Sequence, residues 1–275
     1  MLRSYAAAGL LVPAAVDGSS GYRYYSTGQL HQARIVVLFR RAGIAVDEIA
    51  GATHIGGRET NEDAVLVSEG LFAVADGIGG LQDGEVASRL ALDTLDAAFA
   101  ADRTVSGLLD ACQEANRAVW GQANGRDNIM GTTLAALAMT SDAAGIVLHA
   151  GDSRLYRLRH GRLEQLTHDH TVIADLIRAG ELSEADARTH PHRFVLTRAI
   201  GVFPHVDVDH AGVSCEPGDR LLFCSDGLFK ALAPGELKAI LASEAEPQRS
   251  ADQLVADAVA REKEDNVTAM IIDVH

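Results

Sequence analysis

Cysteine is scarce: the 275-residue chain holds three, Cys112, Cys215 and Cys224, with no Cys-x-x-Cys pair among them. Their odd number and spacing argue against a disulfide framework and against a zinc site, and leave them as reduced, mostly buried small hydrophobes. Long hydrophobic runs are missing too. No uninterrupted apolar stretch approaches the roughly 18–20 residues of a membrane span, and the N-terminus lacks the charged start, apolar middle and cleavage site of a secretory signal. The sequence therefore reads as a cytoplasmic protein with no membrane partner. Positive charge is in short supply as well: 24 Lys and Arg face 38 Asp and Glu, a formal net charge of -14. That balance argues against a nucleic-acid binder that uses its whole surface.

What is present is an ordinary soluble composition, 47% hydrophobic and 23% charged, in a chain long enough to bury a sizeable core. The length suits one main domain plus a small appendage. The charge is unevenly spread. Residues 1–50 carry five arginines, Arg3, Arg23, Arg34, Arg40 and Arg41, against only Asp17, Asp47 and Glu48, so the acidic excess lies beyond them. The composition changes near Gly51, which sets the expected domains at 1–50 and 51–275.

The first fifty residues show two helical patterns separated by Asp17-Gly18-Ser19-Ser20-Gly21, a loop or hairpin turn. The second pattern predicts a helix over about Gln29 to Gly43, with Leu30, Ala33 and Val37 on its apolar side and Arg34, Arg40 and Arg41 largely outside. The string Leu2-Arg3-Ser4-Tyr5, Gly9 to Pro13, Gly21-Tyr22-Arg23-Tyr24-Tyr25, Gln29-Leu30, Gly43-Ile44 and Glu48-Ile49 resembles the winged helix-turn-helix of the MerR family of transcription regulators. The resemblance implies that Tyr22 and Arg23 belong to the wing and face DNA phosphates. Two parts of the family pattern are missing: the first helix and most of the second, before Leu2, and a coiled-coil helix after residue 50. The expectation is a truncated remnant with weak or no DNA binding; a helical appendage packed on the main domain is the other reading.

Beyond residue 50, carboxylates gather where strands meet turns. The apolar run Leu71 to Ala75 reads as a buried strand that stops at Asp76 and turns on Gly77, Gly79 and Gly80. An aspartate there can hold a cation while the glycines admit a carbonyl or phosphate; taken alone, the stretch also fits a plain tight turn. The same pattern recurs. An apolar strand from Ala143 ends in Gly151-Asp152-Ser153-Arg154, another ends in Ser225-Asp226-Gly227, and a last one starts at Asp265-Asn266. Arg58 lies four positions before the acidic pair Glu62 and Asp63, on a turn between strands, where a phosphate-binding guanidinium would meet cation-binding carboxylates.

Helices are expected from Asp83, with Val86, Leu90, Leu95 and Phe99 inward, and over Val105–Ala123, with Leu108, Leu109, Cys112, Ala115 and Val119 inward. Thr132 and Thr133 read as strand formers near the site. His168 and His170 beside Asp169 fit capping and hydrogen bonding better than a metal. Residues 171–179 form a short helix, and Glu181 to Phe194 is a polar flap. Strand character resumes at Leu196 to Gly201, at Val206 to Asp209 and at Arg220 to Cys224, and helices follow over Pro234–Ser243 and from about Ser250 to Lys263.

Arg58 to Asp63, Asp76-Gly77-Ile78-Gly79-Gly80 with Gly84-Glu85, Met130-Gly131-Thr132-Thr133, Gly151-Asp152-Ser153-Arg154, Ser225-Asp226-Gly227 and Asp265-Asn266 resemble, in order, the motif set of metal-dependent PP2C-type protein phosphatases. The resemblance covers residues 52–275. It implies an α+β fold, an α-β-β-α sandwich of two antiparallel sheets with the metals at one end between them, preceded by a small N-terminal helical segment. The implied activity is hydrolysis of phosphoserine and phosphothreonine in proteins by a metal-activated water, with Mn2+ or Mg2+ as cofactor, two ions and a third, weaker one. By the family pattern Asp76 bridges two ions, Asp226 and Asp265 complete one and the Gly77 carbonyl the other. Glu62 and Asp63 hold waters, Asp152 supports the third ion with Asp226, and Arg58 binds phosphate. Ile78 stands where animal members have a histidine, so the leaving group takes its proton from a metal-bound water or another donor, with His168 and His192 as candidates. The implied partner is a phosphoprotein from a serine/threonine kinase pathway. The first alternative is a catalytically silent module of the same fold; the second is a MerR-type DNA-binding regulator with a phosphatase-like sensor.

Overall fold

The computed structural model describes residues 15–16, 23–24, 49–79, 83–123, 130–141, 144–187, 189–243, 246–262 and 264–275. The chain divides into two compact units, residues 1–46 with 67–69, and residues 47–66 with 70–275. In the first, β1 (Ala15–Val16) pairs antiparallel with β2 (Arg23–Tyr24), the two flanking the stretch read as a loop or hairpin turn. That stretch, Tyr22 and the helix expected over Gln29 to Gly43 lie outside the described residues.

The second unit is built from two antiparallel sheets. Its strands are β3 (Ile49–His54), β4 (Asp63–Ser68), β5 (Leu71–Ile78), β6 (Gly131–Thr132), β7 (Leu134–Ser141), β8 (Ala144–Ala150), β9 (Arg154–Arg159), β10 (Arg162–Gln165), β11 (Asp209–Ser214), β12 (Arg220–Cys224) and β13 (Val267–Asp273). The last two residues of β4 are counted with the first unit. One sheet runs β10-β9-β12-β13-β3 and the other β11-β8-β7-β5-β4, with β6 paired to β5. Its helices are α1 (Asp83–Ala101), α2 (Val105–Ala123), α3 (Val172–Arg178), α4 (Glu184–Ala187), α5 (Asp226–Ala231), α6 (Pro234–Ser243) and α7 (Pro247–Arg261). Among the described residues no helix is long and apolar enough to cross a membrane.

Strand alternation explains the layers. Leu71, Ala73 and Ala75 on β5 pack with Leu92, Leu95 and Phe99 of α1 and Leu108, Cys112 and Val119 of α2. Leu222 and Cys224 on β12 pack with Leu228, Leu237, Leu254 and Ala258 of α5, α6 and α7. The intervening residues must point the other way, into the space between the sheets. There Phe72, Val74, Leu155, Phe223 and Met270 are buried, and β5 meets β12 while β7 meets β9. Each large side chain so enclosed gains about 1.5–3 kcal/mol over exposure. The result is the α-β-β-α sandwich expected from the motif order.

Several elements depart from expectation. The α1 stripe is Gly84, Ala87, Ser88, Ala91, Leu92, Leu95 and Phe99, and Val86 is exposed. Small alanines, not the larger valine, face the alanine-rich sheet because they let helix and sheet approach closely. Ile49, read as the end of the N-terminal string, begins β3, whose register against β13 sets Ile49 opposite Ile272. Leu196 and Ile200 make only isolated bridges, and the strand expected at Val206 to Asp209 lies instead at Asp209–Ser214. Helix α7 starts at Pro247, and α5 was not foreseen.

Candidate active site

Register brings the carboxylates to one end of the sandwich. Cys224 at the end of β12 lies opposite Arg154 and Ala269, Val267 at the start of β13 lies opposite His54, and Leu134 lies opposite Ala150. Asp226, Asp265 and Asp152 each sit just past these paired ends. Asp76 is inside β5, which runs on to Ile78 through pairing with β6, so the strand does not stop at the carboxylate as expected.

Asp76 is fixed through its backbone. Its N–H donates to Thr133 Oγ1 at 2.9 Å, and its carbonyl accepts from Thr133 N–H at 2.9 Å and Thr132 Oγ1 at 2.9 Å. Thr133 Oγ1 also meets Ser153 Oγ at 2.6 Å, linking Asp76 to the loop that carries Asp152. The glycines are needed for space. A Cβ on Gly77 would lie 2.2 Å from the Gly84 carbonyl oxygen, and one on Gly84 would lie 2.6 Å from the Glu62 carboxyl carbon. Glu62 is held by its backbone: its carbonyl accepts from Gly77 N–H at 3.1 Å and Ser88 Oγ at 2.6 Å.

Asp63 Oδ2 accepts from Ser225 Oγ at 2.7 Å and from Thr268 Oγ1 at 2.6 Å, while its Oδ1 is buried with no partner among the described residues. Asp226 opens α5. Its Oδ2 is paired with the ammonium of Lys230 one turn on, and its Oδ1 too is buried and unpartnered. Lys230 Nζ lies 3.8 Å from Asp265 Oδ2 and 4.7 Å from the centre of the Phe194 ring on the flap. Asp265 Oδ1 meets Arg58 Nη2 at 2.9 Å, and Arg58 Nε donates to the Glu264 carbonyl at 3.1 Å. Asn266 pins the Arg58 loop, accepting from Glu62 N–H at 2.8 Å and donating to the carbonyls of Ile55 at 2.8 Å and Thr60 at 3.1 Å.

So many carboxylates cannot ionise side by side without cost. Two charges about 4 Å apart repel by several kcal/mol even at an effective dielectric near 20. Burial, with Asp226 and Asp265 nearby, pushes Asp63 up to about 7 against the pull of its two hydroxyl donors. Burial and the charges of Asp226 and Asp169 push Asp152 up to about 7. Asp76 is raised well above the carboxylate range by burial and then by Asp63, Asp226, Asp152 and Asp265. Burial also raises Asp226, though Lys230 opposes it, and Glu62, though Arg58 opposes it.

The donor set suits a hard divalent cation: all oxygen, anionic, with two buried oxygens lacking a donor. Among the described residues no three such side chains close on one point; the cation that Asp226 and Asp265 share is the Lys230 ammonium. His168 and His192 do not join this cluster. His168 lines a separate cavity of about 420 Å³ with Val147, His149 and Asp209, and His192 is exposed on the flap. His170 is engaged in hydrogen bonds to Gly151 N–H and Asp209, and Thr171 caps α3, which accords with the reading of this segment as structural. The roles of Thr133, Ser225 and Lys230 were not foreseen. Only Lys230 carried a signal, four residues after Asp226, the spacing of a helical ion pair.

Fold and site together define a sandwich phosphatase with an acidic centre. The Protein phosphatase 2C family model matches residues 50–261, and the chain belongs to that family. A "Serine/threonine phosphatase stp" of Listeria monocytogenes is 35% identical over 230 residues, covering 78% of this chain and 91% of that protein. The phosphatase MsPP of Mycobacterium smegmatis, solved with cacodylate, superposes with a TM-score of 0.77 at 43% identity, covering 82% of this chain and 98% of that one. The catalytic domain of phosphatase PstP, solved with 2 manganese ions, superposes with a TM-score of 0.74 at 32% identity, covering 82% and 96%.

Proposed function

We propose that this protein hydrolyses phosphoserine and phosphothreonine in proteins, using Mn2+ or Mg2+. The observation that carries the reading is the gathering of Asp63, Asp76, Asp152, Asp226 and Asp265 with buried oxygens that lack donors, in a chain related to serine/threonine phosphatases. We assign Asp76 to two ions, Asp226 and Asp265 to one of them and the Gly77 carbonyl to the other. Glu62 and Asp63 are assigned to waters, and Asp152 with Asp226 to a third, weaker ion. Divalent cations, when bound, supply Lewis acidity and positive charge for the phosphate monoester and the attacking water.

The chain's own part is to bind and orient. Arg58, half-exposed at the rim, exchanges its contacts with Asp265 and the Glu264 carbonyl for two phosphate oxygens, which its planar fork matches. No cysteine serves as nucleophile: Cys112, Cys215 and Cys224 are all buried, and burial raises all three thiols, Cys112 and Cys224 up to about 12. The test is Mn2+-dependent hydrolysis of a phosphothreonine peptide, which is expected to vanish with EDTA and in Asp226→Ala. A metal-dependent rate unchanged in that variant refutes the ligand assignment.

The residues before β3 are proposed as a separate MerR-like segment, with the catalytic domain taking in Ile49 and Ala50, which were expected on the N-terminal side but pair with β13. The chain works in the cytoplasm on substrates of a serine/threonine kinase pathway. The N-terminal remnant adds weak or no DNA binding. Salt-sensitive, specific binding to the DNA upstream of its own gene, lost in Arg23→Ala, would overturn that.

A further inference from the structure

Besides Arg58 at the rim, which meets Asp265 Oδ1 at 2.9 Å, the acidic centre contains a second cation of its own. Lys230 lies one turn after Asp226 on α5, so the two side chains share a helix face, and its ammonium pairs with Asp226 Oδ2 and lies 3.8 Å from Asp265 Oδ2. Those are the two carboxylates assigned above to a single ion. Its charge is therefore spent on oxygens that a divalent cation needs. A lysine carries its charge on a flexible four-carbon stem and can withdraw without moving the backbone. The place to which it can withdraw is also visible. The Phe194 ring on the flap stands 4.7 Å from Nζ, is 60% exposed, and already carries the Arg193 guanidinium at 4.4 Å. The ammonium already lies over this aromatic face, so it can leave the carboxylates and keep that contact.

We propose that Lys230 is a tethered competitor for metal: its ammonium holds Asp226 and Asp265 until a divalent cation displaces it towards Phe194. This rests on the ligand assignment proposed above. Electrostatics gives the direction, because a doubly charged ion outbids an ammonium for the same oxygens, whereas a singly charged one has no such advantage. Lys230 thus sets a threshold for loading, and couples loading to the flap that borders the site.

The experiment uses the full chain labelled with 15N-lysine. In EDTA the Lys230 ammonium should give a protected N–H correlation, assigned by its loss in Lys230→Met, and diamagnetic Mg2+ should abolish or shift it as the site saturates. A signal unchanged through saturation, with binding verified by calorimetry, overturns the proposal. Calorimetric Mn2+ affinity should tighten by about tenfold in Lys230→Met and remain near wild type in Lys230→Arg. Asp226→Ala should lose the ion assigned to Asp226 and Asp265, read as a fall in binding stoichiometry. If Asp226→Ala binds as wild type, the ligand assignment falls and this inference with it. If Asp226→Ala loses that ion but Lys230→Met matches wild type, the lysine inference alone falls. The wild-type titration decides the matter even if a variant folds poorly.

Discussion

Asn266 shows how one side chain can govern a reaction it does not touch. It is buried, and its amide makes three bonds to the loop between β3 and β4, to Glu62 N–H and the carbonyls of Ile55 and Thr60. That loop carries Arg58. Replacing Asn266 with Ala leaves the buried Glu62 N–H without its acceptor and releases the loop, at a cost of about 1–3 kcal/mol by the usual penalty for an orphaned polar atom. Denaturant melts of Asn266→Ala should show that loss, and its KM for a phosphopeptide should rise because Arg58 is no longer held in place. Arg58→Ala isolates the second effect. Removing a charge-assisted contact worth roughly 1.5–3 kcal/mol predicts a KM at least about tenfold higher in steady-state kinetics. Stability should stay close to wild type, since the Arg58 side chain is 51% exposed.

At the scale of elements, the short helix α5 is seated by a missing side chain. A Cβ on Gly227 would lie 2.1 Å from the Asn266 carbonyl oxygen, a backbone atom that cannot yield unless α5 and the start of β13 separate. Gly227→Ala should therefore destabilise the fold by about 2–3 kcal/mol and abolish hydrolysis, because Asp226 and Asp265 part company. Gly235→Ala on α6 is the control. No atom lies within 4 Å of its added Cβ, so thermal melting should show no loss, and alanine's better helix propensity gives up to about 1 kcal/mol of gain. The same contrast explains what could be read in advance. Helix α2 was legible down to its buried face because Leu108, Cys112, Ala115 and Val119 recur with helical period. The Asp-Gly pairs at Asp76 and Asp226 were legible because glycine beside a carboxylate after an apolar run is a chemical signal that needs no tertiary knowledge, even though β5 continues past Asp76. Helix α5 was not, since six residues starting Asp-Gly look like a turn. Strand β11 lies at a sheet edge with almost every residue exposed, so it lacks the apolar alternation that marks strands, while buried Val206 just before it mimics one. Thr133 looked like a strand former because its two hydrogen-bond partners lie 57 and 20 residues away.

At the scale of the molecule, buried titratable groups make stability depend on pH, with the acidic centre and His149 acting in opposite directions over the same range between about pH 4 and 7. Asp63 and Asp152, at about 7, and Asp76 and Asp226, also raised, keep protons in the folded state that the unfolded chain releases near pH 4. Their stabilising contribution is complete below the unfolded value and is lost as pH rises through the folded one. His149 works the other way. Burial and the neighbouring His170 hold it at about 4, so folding opposes its protonation and stability falls as pH drops from about 6.5 to 4. In EDTA the melting temperature should therefore decline as pH rises from about 4 to 8, because the raised carboxylates outnumber the opposing histidine, helped down at the upper end by the net charge of -14. Saturating Mn2+ should flatten or reverse the alkaline decline, because a bound cation favours the ionised carboxylates and stabilises whatever binds it. Asp63→Asn removes one of the groups concerned while its amide oxygen can still accept from Ser225 and Thr268. In EDTA it should melt above wild type at pH 8 and converge with it only near pH 4, where the unfolded carboxyl also keeps its proton. Parallel melting curves with and without metal would show that these carboxylates do not form the charge cluster on which the chemistry depends.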